Sequence, residues 1–255
     1  MVKKLFLLLL ILVAGAAGYR ALTAPQPTNT ALRQLDTGGI VGFDTGRGSL
    51  AWLGIPFARP PLGELRWRPP QPAQSWEGVR EALEHPPFCS QILPFAWLPA
   101  PVTFGEEDCL YLNVWTPVMD PEQASRESLP VMVWIHGGAN TLGGSAAADP
   151  YRFAEEEGII VVSLQYRLGI LGWFSHPALR ELAQNPLERS SNFALLDMIA
   201  ALEWVQANIG AFGGDADNVT IFGQSAGAFD ILALLASPPA RGLFHKAIAQ
   251  SGTVN

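Results

Sequence analysis

Residues 219–222 form a short apolar run, Gly223-Gln224-Ser225-Ala226-Gly227 follows it directly, and residues 228–236 continue as an apolar stretch of helical length. A strand, a five-residue turn and a helix in that order leave the chain little freedom. The strand has to reverse into the helix at once, so the two elements pack on each other from the first turn. Positions 223 and 227 fall where they meet, and only a hydrogen fits there. Ser225 is thereby displayed on a sharp turn at the carboxyl end of a strand. That display matters because a serine hydroxyl is a poor nucleophile unless it stands exposed beside a base.

The surrounding pattern is that of an α/β sheet. Residues 131–135 and 158–164 are continuous apolar runs, as expected of strands buried on both faces in a central, mostly parallel sheet flanked by helices. Residues 192–209 show helical spacing, with Leu195, Ile199, Leu202, Val205 and Ile209 along one face. Residues 247–250 read as a further strand, and 39–43, 51–55 and 110–115 as shorter ones upstream. Residues 24–30 read as a proline-containing linker, and the prolines of 56–72 imply a fixed irregular path. Strands alternating with helices place ligands at the carboxyl ends of the strands. The 255 residues suffice for one large domain, and 49% hydrophobic against 15% charged residues indicates a sizeable core. A net charge of -7, with no basic block beyond the first few residues, argues against nucleic acid as a partner.

Residues 1–23 read as a signal peptide or an N-terminal membrane anchor. Lys3 and Lys4 precede an apolar run that passes into the small residues of 14–18. Residues 5–18 would span about 21 Å as a helix, short of the roughly 30 Å hydrocarbon core, which favours a cleaved signal. A membrane tether through this segment is the alternative. Either way the chain is expected to be exported, secreted or periplasmic. The chain has two cysteines, Cys89 and Cys109, and in an exported protein they are read as a disulfide or as two buried thiols. No spacing of ligand residues around them suits a metal.

The chemistry-bearing residues cluster in two places. Ser225 is the candidate nucleophile. His136-Gly137-Gly138-Ala139 follows the apolar run 131–135, and a glycine-rich loop there can aim backbone N–H groups at a developing oxyanion. The N–H of Ala226, next to the serine, would complete the hole. The four histidines, His85, His136, His176 and His245, each read as structural or exposed. Only thirty residues follow Ser225, and the one acid among them, Asp230, lies inside the helix. A Ser–acid–His order therefore cannot be completed, and residues 24–255 are read as the N-terminal part of a longer domain, truncated at its C-terminus.

These motifs resemble the type-B carboxylesterase family, which includes the cholinesterases and bacterial para-nitrobenzyl-type esterases. Gly54-Ile55-Pro56-Phe57-Ala58 with Pro60, Pro61, Gly63 and Arg66 is similar to the family's early motif. Glu107-Asp108-Cys109-Leu110-Tyr111-Leu112-Asn113-Val114 is similar to its second signature. Phe212-Gly213-Gly214-Asp215 leads into the serine segment, and Gln250-Ser251-Gly252 closes the likeness. The resemblance implies the α/β-hydrolase fold, an acyl-carrying Ser225, and oxyanion donors at Gly138, Ala139 and Ala226. It further implies a Cys89–Cys109 disulfide and a structural ion pair between Arg66 and Glu107. Departures are local. Ala139 stands where a third glycine is usual, and Asn140 where an aromatic is usual. Gln224 stands where cholinesterases carry glutamate, which removes a charge suited to choline.

The expected activity is cleavage of carboxylic esters through an acyl-enzyme, with no metal or organic cofactor and a small-molecule ester as partner. The 255 residues alone are expected to be poorly active or inactive. The alternative is a non-catalytic binding or adhesion homologue that keeps the fold.

Overall fold

The computed structural model describes residues 24–93, 102–147 and 150–252. The signal or anchor expected at residues 1–23 lies outside the described residues. Among the described residues no helix is long and apolar enough to cross a membrane.

The strands are β1 (Pro27–Leu35), β2 (Gly38–Asp44), β3 (Ser49–Pro56), β4 (Val79–Glu81), β5 (Gln91–Leu93), β6 (Val102–Phe104), β7 (Tyr111–Pro117), β8 (Leu129–Ile135), β9 (Ile160–Leu164), β10 (Gly214–Gln224) and β11 (Lys246–Gln250). The main sheet runs β1-β2-β3-β7-β9-β8-β10-β11, with β4 beside β2, while β5 and β6 pair as a separate hairpin. Its two halves differ. From β1 to β9 the pairings are antiparallel, and the parallel character is confined to β9, β8, β10 and β11, plus β4 on β2. The expected parallel α/β core is therefore the C-terminal half of a mixed sheet.

Three helices matter for the site: α1 (Tyr151–Glu157), α2 (Phe193–Asn208) and α3 (Ala226–Ala236). Helices α2 and α3 cover one face of the parallel half. In α2 the buried positions include Ala194, Met198 and Ala201 as well as Ile199, Leu202 and Val205. The helix is thus packed nearly all round, beyond the single stripe that its spacing suggests. The other face is covered by α1, whose Ala154 packs among Ala51, Leu53, Trp115 and Val161. That cover stops short of β8 and β10. Val131, Val133 and Ile135 are fully buried, whereas Met132 and Trp134 are only half-buried. Burial on both faces holds for β9, all five of whose residues are buried, but only on one face for β8.

Two boundaries differ from the sequence reading. Residues 27–30 belong to β1, because a proline is tolerated at a strand's first position, where no ladder N–H is required of it. Gly158 ends α1 in the left-handed conformation (φ 61°) and so does not open β9. Helix α1 escaped the sequence reading because only Ala154 of its seven residues is buried, leaving no apolar period.

The carboxyl ends of the parallel strands finish level with one another. Ile135 of β8 pairs with Gly223 of β10 and with Leu164 of β9, and Gln224 pairs with Gln250 of β11. Loops leaving those ends must therefore meet. Around that edge, Cys89 and Cys109 are joined in a disulfide with their Cα atoms 5.0 Å apart. Arg66 grips Glu107 with both Nε (2.6 Å) and Nη2 (2.5 Å). Arg167, beyond β9, is tied to Asp197 of α2 by a bidentate pair at 2.8 and 2.6 Å, with both residues buried.

Candidate active site

The turn at Ser225 takes its shape from sterics. A Cβ on Gly223 would come within 2.6 Å of the carbonyl oxygen of Ile135, and one on Gly227 would overlap the same oxygen. Strand β10 and helix α3 can converge only because neither position has a side chain. Ser225, between them, is the N-cap of α3 with φ 56° and ψ -121°, and its side chain caps nothing. Such a backbone conformation in a non-glycine residue is unfavourable by about 1–3 kcal/mol and persists only where the surroundings fix it. Here the Ser225 N–H donates to the carbonyl of Gln250 at 2.9 Å, anchoring the turn to β11. The serine itself is half-buried.

The glycine loop lies against this turn. A Cβ on Gly137 would stand 2.6 Å from the carbonyl oxygen of Gln224 and 3.3 Å from Cβ of Ser225. Beyond it the loop turns on itself: the N–H groups of Thr141 and Leu142 both donate to the carbonyl of Gly138, at 3.0 and 2.9 Å. Gly138 has φ 117°, and Ala139 and Asn140 are consecutive left-handed residues with φ 55° and 56°. The backbone N–H groups of Gly138, Ala139 and Ala226 donate to no acceptor among the described residues. The ends of two neighbouring strands thus carry the serine and three amides without acceptors among the described residues, the last at the N-terminus of an 11-residue helix with its partial positive charge.

The loop is held from beneath by side chains that the sequence reading did not single out. The Gln91 side chain, from the hairpin inside the disulfide loop, pairs with both backbone groups of Gly143 at 2.9 Å each. Tyr166 donates to the carbonyl of His136 at 2.7 Å and stacks on its ring at 4.3 Å. The Asn140 Nδ2 donates to Oδ1 of Asp230 at 3.0 Å, and the Gly169 N–H donates to the Asn140 carbonyl at 2.7 Å. Tyr166 lies two residues beyond a buried strand, a position that points toward the strand-end site. Gln91 lies among irregular residues and gives no such signal. Asp230 had one: an acid on the apolar helix that follows the serine.

Burial dominates the electrostatics. It pushes His136 down to about 4, so the ring is neutral at pH 7. Its Nδ1 lies 2.8 Å from the carbonyl of Gly137, and since a carbonyl only accepts, Nδ1 carries the proton. Burial pushes Asp230 up to about 6, against which the bonds from Asn140 and Tyr166 pull it back only in part. The Tyr166 hydroxyl is raised by burial and then by the Asp230 charge.

For Asp230 the folded-state value lies above the usual carboxyl value of 3.8. Protonation therefore favours the fold, and this contribution is complete below about pH 4 and is lost as pH rises through 6. Asp230→Asn removes the titration. Between pH 4 and pH 8 the wild type is expected to lose about 3 kcal/mol relative to that variant. Denaturant midpoints measured across this window check it, and parallel curves for the two proteins would refute it.

None of the histidines is free beside Ser225. His136 is buried and committed to Gly137. His176 accepts from the N–H of Ala178, His245 from that of Val219, and His85 lies against Trp115. Among the described residues no cluster of His, Cys, Asp or Glu could hold a metal ion. Next to the glycine loop is a hollow of about 420 Å³ lined by Ala139, Asn140, Thr141, Ile170, Trp173 and Phe174, among others. A second, of about 480 Å³, adjoins it through Thr141, Gly169 and Ile170 and reaches Gln91 and Ile92. Ser225 itself lines neither.

Residues 29–255 match the family described as the carboxylesterase family. The chain is 42% identical over 258 residues to human cocaine esterase, covering 96% of this chain and 43% of that protein. It is 42% identical over 270 residues to the medium-chain fatty acyl-CoA hydrolase precursor of Anas platyrhynchos, covering 98% and 45%. Among solved structures, a PNB esterase superposes with a TM-score of 0.74 at 42% identity, over 88% of this chain and 44% of that one. A carboxylesterase of Geobacillus stearothermophilus gives 0.74 at 38% identity, over 88% and 43%. The chain thus spans under half the length of the curated relatives named here, 43% and 45%.

Proposed function

The chain belongs to the carboxylesterase family, by a match over residues 29–255, and from that premise we propose that it carries the nucleophile and oxyanion site of an exported serine hydrolase of carboxylic esters. The Ser225 hydroxyl oxygen attacks the ester carbonyl carbon while its proton passes to a base. The carbonyl oxygen becomes an oxyanion that accepts from the N–H groups of Gly138, Ala139 and Ala226. Collapse expels the alcohol, which takes up the proton, and leaves the acyl group on Ser225. Water then attacks the acyl carbon by the same route and releases the acid. No step requires a metal or organic cofactor.

One observation carries this reading. Ser225 is held at φ 56° on the tip of its turn, against Gly137, and the amides of Gly138, Ala139 and Ala226 have no acceptor among the described residues. A scaffold that only binds has no use for a serine kept in that conformation. The apolar hollows beside the loop suit small or medium apolar esters. The Cys89–Cys109 disulfide and the signal-like residues 1–23 support export. Since each described histidine has another partner, the reading takes its base, and the acid that orients it, from outside the described residues.

An organophosphate ester tests this. In the protein expressed from its whole reading frame, diethyl p-nitrophenyl phosphate is expected to add one diethylphosphoryl group to the peptide holding Ser225. Hydrolysis of p-nitrophenyl butyrate should disappear in proportion. The 255 residues alone, without a base, should label at under about one-thousandth of that rate. Inactivation with the adduct on another residue would overturn the assignment.

A further inference from the structure

Asp230 is buried, 3% exposed, on the second turn of α3. Among the described residues no arginine or lysine acts on it; the groups that reach it are Asn140 and Tyr166. Its Oδ2 has no hydrogen-bond partner among the described residues. An unpaired buried carboxylate is expensive, and an alanine or leucine would suit this helix better. Its Oδ1 accepts from the Asn140 side chain at 3.0 Å, and Asn140 is half of the left-handed pair that turns the glycine loop. Two adjacent left-handed non-glycine residues stay in place only if the surroundings fix them. The Gly169 N–H fixes the Asn140 backbone at its carbonyl, and the side chain is held at both ends, its Nδ2 by Asp230 at 3.0 Å and its Oδ1 by the Tyr166 hydroxyl at 3.1 Å. The N–H of Ala139 lies one residue earlier in the same left-handed turn.

We propose that Asp230 is a positioning residue of the oxyanion loop: through Asn140 it holds the Ala139–Asn140 pair, and with it the Gly138 and Ala139 amides, in the orientation that attack by Ser225 requires. The inference rests on the hydrolase reading of Ser225 and adds a residue that does not touch the substrate. It assigns Asn140 and Asp230 a joint role, one member in the loop and the other on the helix that the serine caps. It also gives a role to a carboxylate buried where an apolar residue would pack better.

The test uses Asp230→Ala, Asn140→Ala, the double variant and Asp230→Asn, all in the protein expressed from its whole reading frame. Hydrogen exchange of residues 136–144 is expected to quicken at least about tenfold in either alanine variant, and no further in the double variant. Turnover of p-nitrophenyl butyrate should lose about 10- to 100-fold in kcat, with KM within about twofold, because the amides act on the transition state. Asp230→Asn, which keeps an acceptor oxygen, should fall between wild type and Asp230→Ala. Additive losses in the double variant, unchanged exchange, or faster exchange with unchanged kcat would each overturn the proposal. Should Ser225→Ala leave turnover intact, the hydrolase reading fails on that result, while the exchange rates still judge the loop. An Asp230 variant that did not fold would itself contradict the proposal, since removing this carboxylate is expected to leave the fold at least as stable at pH 8.

Discussion

Ser225→Ala is expected to lower kcat/KM for p-nitrophenyl butyrate by at least about 10⁴-fold in the protein expressed from its whole reading frame. The size follows from what is removed and what remains. Without the hydroxyl no acyl-enzyme forms, and a water must attack directly. The amides of Gly138, Ala139 and Ala226 would still stabilise the oxyanion, so the residual rate should stay above that of the uncatalysed reaction. Stability should change by less than about 0.5 kcal/mol, because the Ser225 side chain caps nothing, and alanine tolerates φ 56° no better than serine does. The combination is diagnostic. A loss of activity with an unchanged denaturation midpoint places the effect in the chemistry. Retention of turnover to within tenfold would sink the assignment of the nucleophile.

The serine was legible in the sequence because its surroundings are local. Strand, turn, helix and both glycines fall within eighteen consecutive residues, and the collision that excludes a side chain at 223 and 227 follows from the turn itself. The companion loop was legible for the same reason, as glycines at a strand end. What holds the loop was not legible. Gln91, Tyr166 and Asp230 reach it from a hairpin, a strand end and a helix, at sequence separations of 52, 30 and 90 residues. Tyr166 beyond a buried strand and an acid on the helix after the serine hint at the site, but nothing near any of the three shows which loop atom it holds. Strand β1 was hidden by Pro27, a residue that reads as a breaker but is harmless at a strand's first position. The half-exposed faces of Met132 and Trp134 depend on how far α1 extends across the sheet, which an apolar run cannot reveal. The parallel half was predicted from its buried runs, while the antiparallel half was visible only as short strands without an order.

Asp197→Ala is expected to destabilise the protein by about 3–5 kcal/mol, the largest stability loss foreseen for a single side chain here. Asp197 is fully buried and takes three bonds from Arg167: the backbone N–H at 3.1 Å, Nε at 2.8 Å and Nη2 at 2.6 Å. Removing the carboxylate leaves a guanidinium 3% exposed, with the carbonyl of Arg68 at 2.9 Å and the Phe193 ring, 5.5 Å away, as its remaining partners among the described residues. Its Nη1 already lacks a partner. The loss thus reflects an uncompensated buried charge more than the worth of the pair. Replacing both partners by apolar residues of similar size, Arg167→Met with Asp197→Leu, should recover most of it. Denaturant midpoints of the single and double variants measure this, and a double variant no more stable than Asp197→Ala would refute the argument. The consequence for the site is separate. Arg167 adjoins Tyr166, whose hydroxyl holds the His136 carbonyl beneath the glycine loop. Even where the apolar double variant regains stability, the exit of β9 loses its bidentate tie to α2. Its kcat should then stay below that of the wild type, because apolar packing restores cohesion but not the direction in which Tyr166 is held.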